Sequence, residues 1–138
     1  MNIMGCDIHV MVEKKSKGNL GWDTYLRKNE GFHYQVGRCY ELFAILADVR
    51  NDFDIVAIDD PRGIPEDASA TYLEYVEEWN PECHSHSFIT LAELQKYDWS
   101  GHPECDYFVN DQIPELEQLA EKHGCTADDI RIVFFFDH

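Results

Sequence analysis

Two short stretches carry the residue types from which a reaction centre could be built. The first is Cys6-Asp7-Ile8-His9, close to the N-terminus, and the second is Cys83-His84-Ser85-His86-Ser87. Each places chemistry-bearing side chains at an i, i+2 spacing. On an extended chain that spacing puts them on one side. Asp7 with His9, and His84 with His86, are therefore candidate ligands for a divalent metal. Imidazole and carboxylate donors suit zinc or manganese. Asp137 ends the last apolar segment and is the candidate additional ligand or general base.

An Asp-x-His triplet on a first strand is also found in metallophosphoesterase sites, where a metal polarises a phosphate and activates a water. Asp48, Asn51 or Asp52 could add oxygen or amide donors. The other motifs of those enzymes are missing and the chain is short for their fold, so only the chemistry is retained. The expected substrate is a phosphodiester or a nucleotide. A zinc clip from Cys83, His84 or His86, His102 and Cys105 has the right residue types, but no CxxC pair supports it. Cys83 beside His84 is a poor nucleophile–base pair, because neighbours on an extended chain rarely aim at each other.

These residues need elements to position them. Residues 1–14 contain a strand in which Cys6, Ile8, Val10 and Val12 alternate with Asp7, His9, Met11 and Glu13, the period of a half-buried sheet. A polar turn through Lys14-Lys15-Ser16-Lys17-Gly18-Asn19 leads to a returning strand over Leu20–Arg27, giving an N-terminal hairpin. After an aromatic loop over 29–37, Tyr40–Arg50 forms a helix apolar almost all round and hence buried. Phe53–Ile58 is a short strand or a chain crossing the core. Asp67 can cap a helix that runs to about Trp79, with Tyr72, Tyr75, Val76 and Trp79 at helical spacing. The histidine stretch then enters a helix over Leu91–Tyr97. Thr90 and Glu93 form its capping box, with Ile89 and Leu94 as the hydrophobic staple. A helix over Ile113–His123 stops at Gly124. Ile130–Phe136 is the last strand, expected at a central position and paired with the first. The fold class is α+β: one domain over residues 1–138, with a small, mainly antiparallel sheet (N-terminal hairpin plus C-terminal strand) covered by three to four helices.

Charge bounds the partners. Eleven basic and 27 acidic residues give a net charge of −16. Between Glu41 and Glu82 twelve acids face two bases, Arg50 and Arg62. Such a surface repels nucleic acid, so direct nucleic-acid binding is not expected. It could instead imitate a phosphate backbone and occupy a partner with a basic surface. Arg62 is read as an anchor of its Pro-rich loop on nearby carboxylates. Five scattered cysteines, no signal peptide and no bilayer-length apolar run point to free thiols in a reducing cytoplasm, with no membrane partner.

Several motifs carry a wider likeness: Gly5-Cys6-Asp7-Ile8-His9, the run Tyr40–Asn51 with its Leu42-Phe43-Ala44-Ile45-Leu46 core, Pro61-Arg62-Gly63-Ile64-Pro65, His84-Ser85-His86-Ser87 with the helix behind it, and Arg131-Ile132-Val133-Phe134-Phe135-Phe136-Asp137. In these, and in their order, the chain resembles a family of small, uncharacterised proteins of bacteriophages and prophage-bearing bacteria. The likeness spans most of the chain except Ser100–Asp111. The family has no established activity, so the resemblance implies a phage context, within the cytoplasm of a bacterial host, and no mechanism. Two functions remain in view. One is a metal-dependent hydrolase using Asp7, His9, His84, His86 and Asp137. The other is a non-enzymatic acidic inhibitor of a host defence or nucleic-acid-handling protein.

Overall fold

A computed structural model of the chain describes residues 5–16, 21–25, 31 and 33–137. Its elements are β1 (Asp7–Lys15), β2 (Trp22–Thr24), α1 (Tyr40–Ala47), α2 (Ala70–Trp79), β3 (Cys83–Thr90), α3 (Leu91–Lys96), α4 (Ile113–Lys122) and β4 (Ile130–Asp137). The fold is α+β, as expected. The sheet order is β2-β1-β4-β3 and all three pairings are antiparallel. Leu20, Leu26 and Arg27 of the expected returning strand, Lys17, Gly18 and Asn19 of the turn before it, and Phe32 lie outside the described residues. Among those described, no helix is long and apolar enough to cross a membrane.

β4 is central and buried from Ile130 to Phe136, which explains its apolarity at every buried position but Arg131. Its side chains alternate between two cores. Ile130, Ile132, Phe134 and Phe136 join Val10 and Val12 of β1 beneath α1, α3 and α4. Val133 and Phe135 join Met11 of β1 beneath α2, which contributes Tyr72 and Val76. The sheet thus has three helices on one face and one on the other. The second face carries Asp7, His9 and Asp137.

Local signals explain several boundaries. Thr90 and Glu93 form the expected capping box on α3, and Ile89 and Leu94 are fully buried. Ser69, not Asp67, caps α2: its side chain accepts from the Tyr72 amide, while Asp67 is drawn to Trp22 and Arg131. α1 stops three residues short of Arg50, because Asp48 turns left-handed (φ 58°); the Asp48 amide donates to the Ala44 carbonyl and the Val49 amide to the Phe43 carbonyl. Residues 53–58 are a crossing segment rather than a strand. The Ile58 amide donates to the Ile45 carbonyl at 2.7 Å, and Ile55 and Ile58 face the core.

The histidine stretch is the start of β3, a strand beyond the expected hairpin and C-terminal strand, and β3 lies at an edge of the sheet. The Pro61–Pro65 loop covers that edge. The Arg62 amide donates to Ser87 Oγ (3.0 Å) and the Gly63 amide to the His86 carbonyl (2.8 Å). The Arg62 side chain does anchor this loop: it donates to Asp59 (3.0 Å), to the Phe88 carbonyl (2.9 Å) and to both oxygens of Glu93. That guanidinium moves the Glu93 carboxyl from its ordinary 4.5 to about 2. A depressed carboxyl stabilises the fold above its unfolded value and loses that contribution as the pH falls through its folded value. Wild-type stability is therefore expected to drop relative to Glu93→Gln as the pH is lowered from 4.5 to about 2. Denaturation midpoints measured through that window check this, and parallel curves for the two proteins would show that the pair contributes nothing.

Candidate active site

β1 and β4 bring Asp7, His9 and Asp137 together at one end of the sheet. In the antiparallel register Asp7 faces Asp137 and His9 faces Phe135. Two carboxylates directly opposite each other repel. Each is relieved by a different cation or donor. Asp7 accepts from Arg38 Nε and Nη2, both at 2.9 Å, and this fork holds its carboxyl below the usual range. Asp137 accepts a hydrogen bond from His9 Nε2. Gly5 gives Arg38 the room it needs, since a Cβ there would stand 2.5 Å from Nη1.

The other nitrogen of His9 is also engaged. Nδ1 lies 2.8 Å from the Tyr75 hydroxyl, which α2 supplies from above the sheet. A carboxylate accepts, so Nε2 carries a proton; in the neutral tautomer this leaves Nδ1 to accept the Tyr75 O–H. Burial raises the Tyr75 phenol, offset in part by the Trp79 indole, so the hydroxyl keeps its proton to donate. The imidazole is clamped by rings: Phe135 stacks at 4.9 Å and Trp79 lies at 4.3 Å between centroids. The His33 ring meets Tyr75 edge-on at 4.7 Å. His9, Tyr75, Trp79, His33, Arg38 and Asp137 line a cleft of about 320 Å³. An imidazole oriented by a carboxylate and bonded to a hydroxyl is the arrangement that moves protons to and from a reacting group.

The histidines of β3 do not join this cluster. Their spacing predicts one shared side, but Ser85 takes a left-handed φ of 54° and the register slips between His84 and Ser87. The bulge sends His84 to the α1 face, opposite Phe136 and stacked on it at 6.1 Å. Its Nδ1 shares a 3.0 Å hydrogen bond with Ser85 Oγ. His86 is turned to the α2 face, 5.4 Å from the Phe135 ring. Burial pulls its pKa below the ordinary imidazole value, and its Nδ1 has no hydrogen-bond partner among the described residues. The Phe135 strand lies between His86 and His9, a separation of roughly 10 Å across two strand spacings. Among the described residues, no three His, Cys, Asp or Glu side chains converge as a metal-ligand set.

The other cysteine and histidine candidates are dispersed as well. Cys83 faces Asp137 on the α2 side, whereas Cys105 is buried on the α1 side. His102 Nδ1 is 2.7 Å from Glu41 Oε1. Burial and the adjacent Cys39 push the Cys105 thiol up to about 12, so it is inert as a nucleophile. Asp48 and Asn51 bond to each other and close the end of α1.

Sequence reading missed Arg38, Tyr75, Trp79 and His33 as site residues. The i, i+4 pair of Tyr75 and Trp79 reads equally as a helix's apolar face, and Arg38 is a single cation in a loop. Only the tertiary placement of α2 over β1 distinguishes them. Comparison with protein-family models, with curated proteins and with solved structures finds no match for this chain.

Proposed function

We propose that this cleft is the active site of a hydrolase acting on phosphodiesters or nucleotides. One observation carries the reading: His9 is held between the Asp137 carboxylate and the Tyr75 hydroxyl in a cleft that also contains Arg38. Arg38 is half exposed and pre-set by Asp7, so it can receive a phosphate oxygen without reorganising. Tyr75 and Trp79 offer ring faces for a base. The cleft, at about 320 Å³, lies at the lower end of small-molecule sites. A net charge of −16 favours a small substrate over a long polyanion.

The relay sets the proton path. A water gives a proton to the Tyr75 oxygen while Tyr75 passes its own to His9 Nδ1. The water oxygen bonds to phosphorus as the ester P–O bond breaks. The imidazolium, stabilised by Asp137, returns the proton through Tyr75 to the leaving oxygen.

A zinc or manganese ion belongs to the same reading only as a proposal: Asp7, His9 and Asp137 share one face but do not converge as a ligand set in this arrangement, so an ion would have to draw them together. Asp7 would exchange Arg38 for the ion, which supplies a Lewis acid and a more acidic bound water. His84 and His86 are not part of that ligand set.

The test is turnover by chelator-stripped protein of nucleotides and of bis(p-nitrophenyl) phosphate, with and without added zinc or manganese. Hydrolysis above background is expected, and Asp137→Asn should lower kcat by about 10²–10⁴. Dependence on added metal would select the metal-assisted form. No turnover of any substrate in either condition rules the hydrolase out.

The second reading is a non-enzymatic acidic inhibitor of a host protein with a basic surface. It is supported by the exposure of Asp59, Asp60, Glu66, Glu74, Glu77 and Glu78. Turnover that disappears in Asp137→Asn decides against it.

A further inference from the structure

Arg38 lies between two clefts. On one side it lines the His9 cleft. On the other it lines a second cavity, of about 690 Å³, with the start of α1, the crossing segment and the His102 turn. The second cavity is aromatic and hydrogen-bonding in character. Tyr40 and Phe53 line it, and Phe53 is 71% exposed, so its ring is open to a ligand entering from solvent. Glu41 and His102, bonded to each other at 2.7 Å, supply an acceptor and a ring nitrogen.

Charge restricts what can span these clefts. Among the described residues, Arg38 is the one arginine or lysine lining either of them. Asp7 and Asp137 stand on the first side, and Glu41 and Glu104 on the second. A terminal triphosphate would meet one lining cation among carboxylates, with Arg50 held outside the lining, 5.2 Å from the centre of the Tyr40 ring. A single phosphate in the middle of a ligand would meet Arg38 and leave each arm in a cleft lined by rings. Asp7 occupies Nε and Nη2 of the guanidinium, which leaves Nη1 to bind the phosphate.

We propose that the two clefts are subsites of one site and that its ligand is a dinucleoside monophosphate. The bridging phosphate sits at Arg38, one nucleoside lies against Tyr75 and Trp79, and the other against Tyr40 and Phe53. Glu41 and His102 hydrogen-bond the second nucleoside. Turnover of this ligand rests on the hydrolase reading, and would release a nucleoside and a nucleoside monophosphate at the expense of one water. Binding does not depend on that reading.

Calorimetry tests the proposal with the four homodinucleoside monophosphates and their matching nucleoside monophosphates. At least one dinucleoside monophosphate should bind about tenfold more tightly than its monomer, the worth of one stacked ring. Phe53→Ala should reduce the dimer's advantage over the monomer, the dimer losing more affinity than the monomer; the exposure of Phe53 keeps folding out of the comparison. Arg38→Ala should weaken both ligands. Equal affinity for dimer and monomer, no binding of any dimer, or a Phe53→Ala variant that keeps the advantage would each overturn the two-subsite proposal. Tight binding with no turnover of any substrate, with or without added metal, leaves the two subsites standing and removes the hydrolase. Turnover of bis(p-nitrophenyl) phosphate with no gain for any dimer does the reverse.

Discussion

Arg131→Met is expected to cost about 3–5 kcal/mol of folding free energy, the penalty for leaving a buried charge without its partner. Against a total of roughly 5–15 kcal/mol for a domain, that is a large share. Arg131 is 4% exposed and Glu13 is fully buried. Arg131 Nε donates to Glu13 Oε1 at 2.7 Å, and Nη1 lies 3.1 Å from Asp67. The guanidinium lies 3.9 Å from the centre of the Trp22 ring. Glu13 uses its other oxygen to accept the amide of Ser69, the cap of α2, at 2.7 Å. Removing the guanidinium leaves a carboxylate with one amide for company in a dry environment. Removing both charges is a different matter. A Glu13→Met/Arg131→Met double variant should recover most of the loss, because an apolar pair carries no desolvation penalty. Urea denaturation of the two proteins checks both expectations. A single-variant loss under about 1 kcal/mol, the range of a surface pair, would show that water reaches Glu13. The cluster also bears on the site, since it fixes the start of α2, and α2 carries Tyr75 and Trp79 over His9.

Alternation along β1 was sufficient to put Asp7 and His9 on one face, and the apolar run at Ile130–Phe136 to place β4 beside it. If the two strands pair, those features bring Asp137 near Asp7 and His9; the register that sets Asp7 opposite Asp137 is a property of the structure. The capping box at Thr90 was equally legible, because its four residues interact locally. What failed were properties set by partners distant in sequence. Arg131 sits inside an apolar strand and finds Glu13 118 residues away. The bulge at Ser85 needs a left-handed serine, which nothing in the His-Ser-His-Ser pattern announces. A strict period of two would have kept His84 and His86 together, and one extra residue was enough to divide them between the two cores. Asp67 and Ser69 are both good caps, and the choice fell to Ser69 because Arg131 and Trp22 hold Asp67 elsewhere.

His9→Phe separates the shape of the imidazole from its chemistry. A phenyl ring can keep the stack on Phe135 and the contact with Trp79. It removes both hydrogen bonds, leaving Asp137 without a donor and facing Asp7 across the strand pair. Folding should lose about 1–3 kcal/mol, the cost of an unsatisfied polar group. Turnover should fall by about 10²–10⁴, which corresponds to about 2.7–5.5 kcal/mol of transition-state stabilisation. A ring that only packs would show the first loss without the second. Tyr75→Phe extends the test, since it removes the far end of the relay and leaves the His9–Asp137 bond in place. If protons pass through Tyr75, its loss should match that of His9→Phe, and the double variant should be no slower than either single one. Groups that act as a unit are non-additive in this way. Full additivity of the two would mean that His9 and Tyr75 act on different steps, and a His9→Phe protein with wild-type kcat would remove the relay from the mechanism altogether.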